Sequence, residues 1–265
     1  MEWTRFLGDD GARGEEMVEK GGLYAGWYRT VEQYTVRALT KQFDILPAIG
    51  GLASRFQGLV EDRYVAGLWE GDLHQGLLWT VEGAIQPGEQ RFRAPSWSWA
   101  SINLTSIKYD KIPSTGYEAW NKTWFEIEDV GATLASANAY GEVDGGALNV
   151  TGYMRELSVA GASVTGKVYE YRKNSLLDPE AESSVGDIFL DYPRMSTDPP
   201  LHVWCMPVLH MSWDQGNLTS IGLALVPAGI GERPKFRRVG LAKVTNQKWD
   251  HGFFPAGGKR SISLI

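Results

Sequence analysis

Apolar residues recur at helical spacing only in the front third of the chain. Trp27, Val31, Tyr34, Ala38 and Leu39 fall on one face of a 3.6-residue period, which predicts an amphipathic helix of about three turns. Asp44 then offers a cap ahead of Ile45-Leu46-Pro47-Ala48-Ile49, where Pro47 fits a first helical turn. A second helix is expected to about Phe56, with Gly50-Gly51 as a point of close packing between helices. Asp72 offers a cap for a short third helix carrying Leu73, Leu77, Leu78 and Trp79. Residues 1–22 are rich in Gly, Asp and Glu, lack apolar periodicity, and read as a loose leader.

Farther along, the pattern shortens to a period of two or to short continuous apolar runs. Strands are predicted at 124–130, 147–159, 167–171, 187–191, 201–211, 220–227 and 237–244. Turn signals such as Asp144-Gly145-Gly146, Asp214-Gln215-Gly216-Asn217 and Gly229-Ile230-Gly231 separate several of them. The fold class is therefore α+β, as a single domain over 23–265. A short N-terminal helical segment (about 24–80) leads into a mostly antiparallel β-sandwich or partly closed β-barrel (about 90–250).

One run stands out, Arg93-Ala94-Pro95-Ser96-Trp97-Ser98-Trp99-Ala100-Ser101. Read as a strand, it lays Trp97 and Trp99 on the same face, with small residues leaving the other face free for packing. Such a strand is the centre of a core or the wall of an aromatic pocket, because each indole is a large apolar body with one N–H to satisfy.

Composition narrows the partners. The 265 residues are 43% apolar and 22% charged, with a formal net charge of -6. Nucleic acid and anionic membranes need a clustered positive surface, so neither is expected as a partner. The densest basic run, Arg233-Pro234-Lys235-Phe236-Arg237-Arg238, reads as a solvated strand edge. No stretch approaches the roughly 20 apolar residues of a membrane span. The lone Cys205 lies in an apolar run and reads as a buried thiol, and the absence of a signal-peptide pattern points to the cytoplasm.

The catalytic motifs that leave clear signatures are missing. The four histidines, His74, His202, His210 and His251, form no metal-binding spacing. There is no Gly-x-Ser-x-Gly elbow, phosphate loop or dinucleotide fingerprint, so no metal and no cofactor are expected. Glu70, Asp72 and His74 alternate after Trp69. In an extended segment they would share a face and form a proton-handling trio beside tryptophans; the plain alternative is a helix cap flanked by solvated side chains. Arg91 and Arg93 alternate beside Trp97 and Trp99, where they would hold an anionic or enolate-like oxygen or stack on aromatic rings. Tryptophans are the strongest hint of a ligand. Trp69, Trp97 and Trp99 are candidate pocket walls, and Trp120 and Trp124 candidate rim residues. An apolar small molecule is the partner these residues fit best.

Several segments together resemble fungal heterokaryon-incompatibility (HET) domain proteins. They are Glu32-Gln33-Tyr34-Thr35-Val36-Arg37-Ala38-Leu39-Thr40, then Asp44 through Ala53, Tyr64-Val65-Ala66-Gly67-Leu68-Trp69, the Trp97 run, Gly222-Leu223-Ala224-Leu225-Val226-Pro227 and Phe236-Arg237-Arg238-Val239-Gly240-Leu241. Their order and spacing are similar to the region C-terminal to the HET domain, over roughly residues 24–245. The HET domain itself, which drives the cell-death response to non-self in that family, has no counterpart here. Leu104 stands where a Gly often follows the Trp-Ser-Trp-Ala-Ser run. The resemblance brings no established catalytic residue with it. It implies either a stand-alone relative that binds an apolar metabolite, as a cofactor-independent cyclase or isomerase, or a recognition module without its effector.

Overall fold

A computed structural model describes residues 10–37, 44–83, 92–102, 106–109, 124–160, 163–170, 184–194, 198, 201–213, 217–246, 254 and 258–265. The fold is α+β, with short helices first and strands after. The helices are α1 (Asp10–Thr35), α2 (Ile45–Val60) and α3 (Leu73–Gly76). Helix α1 starts inside the stretch expected to be a loose leader. Glu15, Glu16, Met17, Glu19 and Lys20 are good helix formers, and a helical extension need not show the apolar period that marks a packed face. Gly50 packs on the Tyr140 backbone, where a Cβ would lie 3.1 Å from its carbonyl oxygen. The glycine facing between helices is instead Gly26, beside Phe56 of α2.

Two small hairpins follow. The first joins β1 (Tyr64–Val65) to β2 (Leu68–Trp69), and the second pairs β3 (Trp79–Glu82) with β4 (Ser106–Tyr109). The β1–β2 connection is Ala66-Gly67, both with positive φ (46° and 96°), which is the backbone of a type I′ turn.

The nine later strands are β5 (Phe125–Leu134), β6 (Val143–Tyr153), β7 (Arg155–Ala160), β8 (Ser163–Glu170), β9 (Gly186–Arg194), β10 (Leu201–Trp213), β11 (Asn217–Gly229), β12 (Lys235–Asn246) and β13 (Lys259–Leu264). Strands β7 to β12 close on themselves in the order β11-β10-β7-β8-β9-β12, with β12 returning to β11, giving a six-stranded antiparallel barrel. Strand β13 runs parallel to the start of β12 and carries β6 and β5 with it as an arm. The predicted strand at 147–159 is two strands. Met154 breaks it by donating its amide to the Gly258 carbonyl, and there the chain leaves the arm and enters the barrel.

Alternation along the barrel strands serves two cores. Val203 and Cys205 of β10, Ala224 of β11, and Ala242 and Val244 of β12 pack with Leu157, Val168, Ile188 and Leu190. Their neighbours Met206, Leu209, Leu223, Leu225 and Leu241 belong to the other core, with the helices, hairpins and arm. Burial of both faces is why these strands read as continuous apolar runs rather than clean alternation. Cys205 is fully buried, and burial pushes its thiol up to about 12.

The run at 93–101 is not a strand. Ser98 donates its amide to the Pro95 carbonyl in a turn, and Trp99–Ser101 is a 3-10 helix. Ser98 explains the difference. Its hydroxyl oxygen accepts the Ala100 amide at 3.0 Å, the local side-chain-to-backbone bond by which serine competes with extended structure. The rule that residues two apart share a face therefore does not apply to Trp97 and Trp99.

Candidate functional site

The Ala66-Gly67 turn gathers the aromatic core. Positive φ at an alanine costs roughly 1 kcal/mol, and three side chains hold the turn in place. Ser98 Oγ donates to the Ala66 carbonyl at 2.6 Å. Trp27 Nε1 and Trp99 Nε1 both donate to the Gly67 carbonyl, at 3.1 and 2.9 Å. Gly67 cannot be replaced cheaply, since a Cβ there would lie 2.7 Å from Trp99 Nε1. Around this turn Trp27, Trp69 and Tyr64 meet edge to face, with centroids 5.2–5.9 Å apart.

The rest of the 93–101 run ties elements together. Ser96 Oγ accepts the Arg238 amide at 3.0 Å, and the Ser96 amide donates to the Ile265 carbonyl at 3.1 Å. The Trp97 carbonyl accepts Trp79 Nε1 at 3.1 Å. Trp97 and Trp99 are fully buried and Trp69 nearly so. Their indoles differ in one respect. Trp99 spends its N–H on Gly67, whereas the buried Nε1 atoms of Trp69 and Trp97 have no partner.

Asp72 lies in the same core, on a 3-10 turn (Glu70–Asp72) that leads into α3. Its carboxylate makes no cap bond to α3. It accepts the Tyr28 hydroxyl at 2.5 Å instead. Burial pushes the Asp72 carboxyl up to about 7, against the Tyr28 hydrogen bond, which pulls it down. Tyr28 stacks on Tyr109 at 4.3 Å between centroids. The Tyr109 hydroxyl is buried without a partner, within electrostatic reach of Arg238, Asp72 and Tyr64. Tyr64 lies beside the Gly67 backbone, yet its buried hydroxyl makes no bond of ordinary geometry. Burial raises both phenols well above their ordinary range. One buried acid poised near neutrality is thus bonded to the Tyr28 phenol and lies within electrostatic reach of Tyr109, in a core that also holds the unpartnered Tyr64 hydroxyl and two unpartnered indoles.

The expected trio does not share a face, because the segment after Trp69 coils rather than extends. Glu70 is turned to solvent and binds Arg63, with Nε to Oε2 at 2.6 Å and Nη2 to Oε1 at 2.7 Å. That hydrogen bond holds its carboxyl below the ordinary range. His74 sets Nε2 3.3 Å from the Phe125 carbonyl and its ring edge-on to Phe125. Only Asp72 faces the aromatic core. Trp124 also lies elsewhere. It is half-buried, with its ring against Tyr153 and 4.5 Å from His210 beside the barrel core. Arg93 is buried and donates Nη2 to the Ser101 carbonyl at 3.3 Å. Trp120 and Arg91 lie outside the described residues.

The basic run holds the correction with most consequence. Arg233 does sit at the surface, on Glu128 at 2.6 Å. Arg238, expected at a solvated edge, is fully enclosed. Nε and Nη2 bind Asp191 at 3.1 Å each, Nη1 donates to the Leu77 carbonyl at 2.6 Å, and Nη2 donates to the Trp79 carbonyl at 2.5 Å. Its guanidinium also lies 3.3 Å over the Trp79 ring. Burial pushes the Asp191 carboxyl up and the Arg238 guanidinium down, each opposed by the other's charge. Strand period two carried the signal, since Phe236, Arg238 and Gly240 are buried while Arg237 is exposed. Tyr28 was legible in the same way, through Tyr24, Trp27, Tyr28 and Val31 at helical spacing.

Among the described residues, no group of three or more His, Cys, Asp or Glu is placed to hold a metal ion. Among them, too, no helix is long and apolar enough to cross a membrane. No protein-family model, curated protein or solved structure matches this chain.

Proposed function

We infer that the aromatic core around Asp72 binds a small, largely apolar molecule bearing one or two oxygen atoms. The observation that carries this reading is a set of buried donors without partners, Tyr64 and Tyr109 hydroxyls and Trp69 and Trp97 Nε1, in the same core whose Tyr28 binds the buried acid Asp72. Buried polar groups are normally satisfied, so a cluster of unsatisfied ones marks where a guest's acceptors belong. In its enzymatic form the protein is a cofactor-independent cyclase or isomerase. An acid poised near 7 both gives and takes a proton at neutral pH. Fixed phenol and indole donors stabilise an enolate-like oxygen, and rigid aromatic walls hold a reactive conformer. The resemblance to the region beyond HET domains extends the proposal to a fungal secondary metabolite handled in the cytoplasm.

The test is a comparison of metabolites from a strain lacking the gene with its parent. The expected result is a compound that changes on deletion and is restored by wild-type protein but not by Asp72→Asn. Restoration by Asp72→Asn overturns the acid's role, and no metabolite change overturns the enzymatic form.

The second reading is a recognition module related to incompatibility proteins. Leu52 and Leu59, 47% and 60% exposed, lie seven residues apart on the outer face of α2 and favour it. Under that reading the Leu52→Glu/Leu59→Glu variant loses biological activity while Asp72→Asn keeps it.

A further inference from the structure

Among the described residues, no carboxylate bonds the guanidinium of Arg93. The residue is 8% exposed, and its Nε and Nη1 atoms are buried without an acceptor. Arg238 shows what a satisfied buried guanidinium looks like in this fold, with a carboxylate and two carbonyls. Arg93 has the Ser101 carbonyl and the Tyr192 phenol, with no carboxylate. Burial pushes its guanidinium down from the ordinary value, and the group opposing that is the Tyr192 phenol rather than a carboxylate.

The surroundings suit an incoming anion. Tyr192 donates its hydroxyl to the same Ser101 carbonyl at 3.3 Å. Burial raises the Tyr192 phenol above its ordinary range, opposed by the positive charge of Arg93. Asp191 also reaches that phenol, but its carboxylate oxygens are bonded to Arg238. Tyr192 is 45% exposed, so its side chain can turn from the Ser101 carbonyl on a fast timescale.

We propose that Arg93 and Tyr192 form a binding site for a single oxyanion, a carboxylate or phosphate carried by a small molecule. A guanidinium is planar and weakly hydrated, and its fork of N–H groups matches both anions. The anion supplies the acceptors that Nε and Nη1 lack, and the Tyr192 hydroxyl turns from Ser101 to bind it. The site does not rest on the Asp72 reading, because none of its residues belongs to that cluster.

The test follows the Arg93 Nε–H resonance of nitrogen-15-labelled protein at low ionic strength, with sodium phosphate and sodium acetate titrated separately. A saturating shift with at least one anion is expected. Phosphate alone points to a phosphorylated ligand, and acetate to a carboxylate. Arg93→Gln should weaken the interaction, read by calorimetry, roughly tenfold or more. Arg55→Gln, on the exposed face of α2, should leave it unchanged. No saturable shift with either anion, or full affinity in Arg93→Gln, overturns the proposal. Should Arg93→Gln fail to fold, Tyr192→Phe decides: weaker binding at an unchanged melting temperature supports the site, and unchanged binding overturns it.

Discussion

The barrel interior and the aromatic core share strands but are built from different chemistry. Inside the barrel, Val159, Val168, Ile188, Val203, Ala224, Ala242 and Val244 form a small aliphatic core that asks for no hydrogen bonds. A narrow barrel is filled by its own side chains. On the other side of the same wall, five tryptophans and four tyrosines pack in one core, where Tyr28 binds Asp72. The unpartnered Tyr64 and Tyr109 hydroxyls and Trp69 and Trp97 Nε1 belong to residues of that core, whereas beside the barrel core only His210 Nε2 is unpartnered among the described residues. A core that only has to specify a fold is expected to look like the first. The second keeps unsatisfied donors where aliphatic residues would pack without that cost, and that difference points to a guest.

The largest expected effect comes from the clamp between the two regions. Asp191 and Arg238 stand on the barrel wall, and Arg238 holds the Leu77 and Trp79 carbonyls of the aromatic layer. Asp191→Asn leaves a buried guanidinium without its counter-charge and should destabilise by about 3–5 kcal/mol. Urea unfolding followed by tryptophan fluorescence and by far-ultraviolet dichroism should then separate, with fluorescence moving first, because Trp27, Trp69, Trp79, Trp97 and Trp99 all lie in the aromatic layer. Coincident transitions would show that the two regions are one cooperative unit.

The next effect is a pH dependence of opposite sign in the two regions. Asp72 rises from 3.8 to about 7 on folding. Between these values the folded chain keeps a proton that the unfolded chain releases, so stability is greatest below pH 4 and falls as pH rises to about 7. The whole drop is on the order of 4 kcal/mol. His210 is pushed by burial from 6.5 down to about 4, so the unfolded chain holds the extra proton and stability rises with pH over that range. In wild type the two slopes oppose each other. Asp72→Asn should leave the rising slope, and His210→Gln should leave a steeper fall. Urea midpoints at pH 4.5 and 7.5 read both, and equal slopes in the two variants would remove Asp72 from its buried, poised role.

The barrel was more legible in the sequence than the aromatic core, for a physical reason. Each barrel strand announces itself locally, because a run such as Val203-Trp204-Cys205-Met206 is apolar on both faces. Pairing of β10 with β7 and of β12 with β9 joins strands far apart in the chain, which local pattern does not encode, and strand β13 was missed because Lys259, Arg260 and Ser261 make its first half polar and exposed. In the aromatic core the burial of Trp69, Trp97 and Trp99 was legible, but their hydrogen bonds were not. Those depend on a turn at Ala66-Gly67 and on Ser98 bonding its own neighbour, which together coil segments that alternation renders as strands. Asp72 was singled out for company it does not keep. Its real partner, Tyr28, lies 44 residues away in sequence.

A smaller effect separates satisfied from unsatisfied indoles within the aromatic core. Trp69 and Trp99 are both buried, yet only Trp99 donates its N–H. Replacing either with Phe loses a comparable volume. Trp99→Phe should therefore cost about 1 kcal/mol more than Trp69→Phe, the worth of one net hydrogen bond. Trp69→Phe should instead weaken binding of the guest. Equal stability losses, with binding untouched, would make the free Nε1 of Trp69 an accident of packing.

The smallest effect concerns Glu70, two residues from Asp72 and on the other side of the solvent boundary. Its pair with Arg63 is 41% and 50% exposed, so Coulomb attraction is screened and partly offset by the entropy of ordering both side chains. Arg63 is also held by the Val130 carbonyl at 2.7 Å and keeps that bond in Glu70→Gln. The variant should lose about 0–1 kcal/mol, and less as salt is raised. The lowered carboxyl of Glu70 fixes the direction with pH: its contribution is present above the unfolded carboxylate range and fades as pH falls. Glu70→Gln should also match wild type in the metabolite comparison that Asp72→Asn fails. A stable Glu70→Gln protein that fails alongside Asp72→Asn would extend the site across the solvent boundary and restore Glu70 as a functional partner of Asp72.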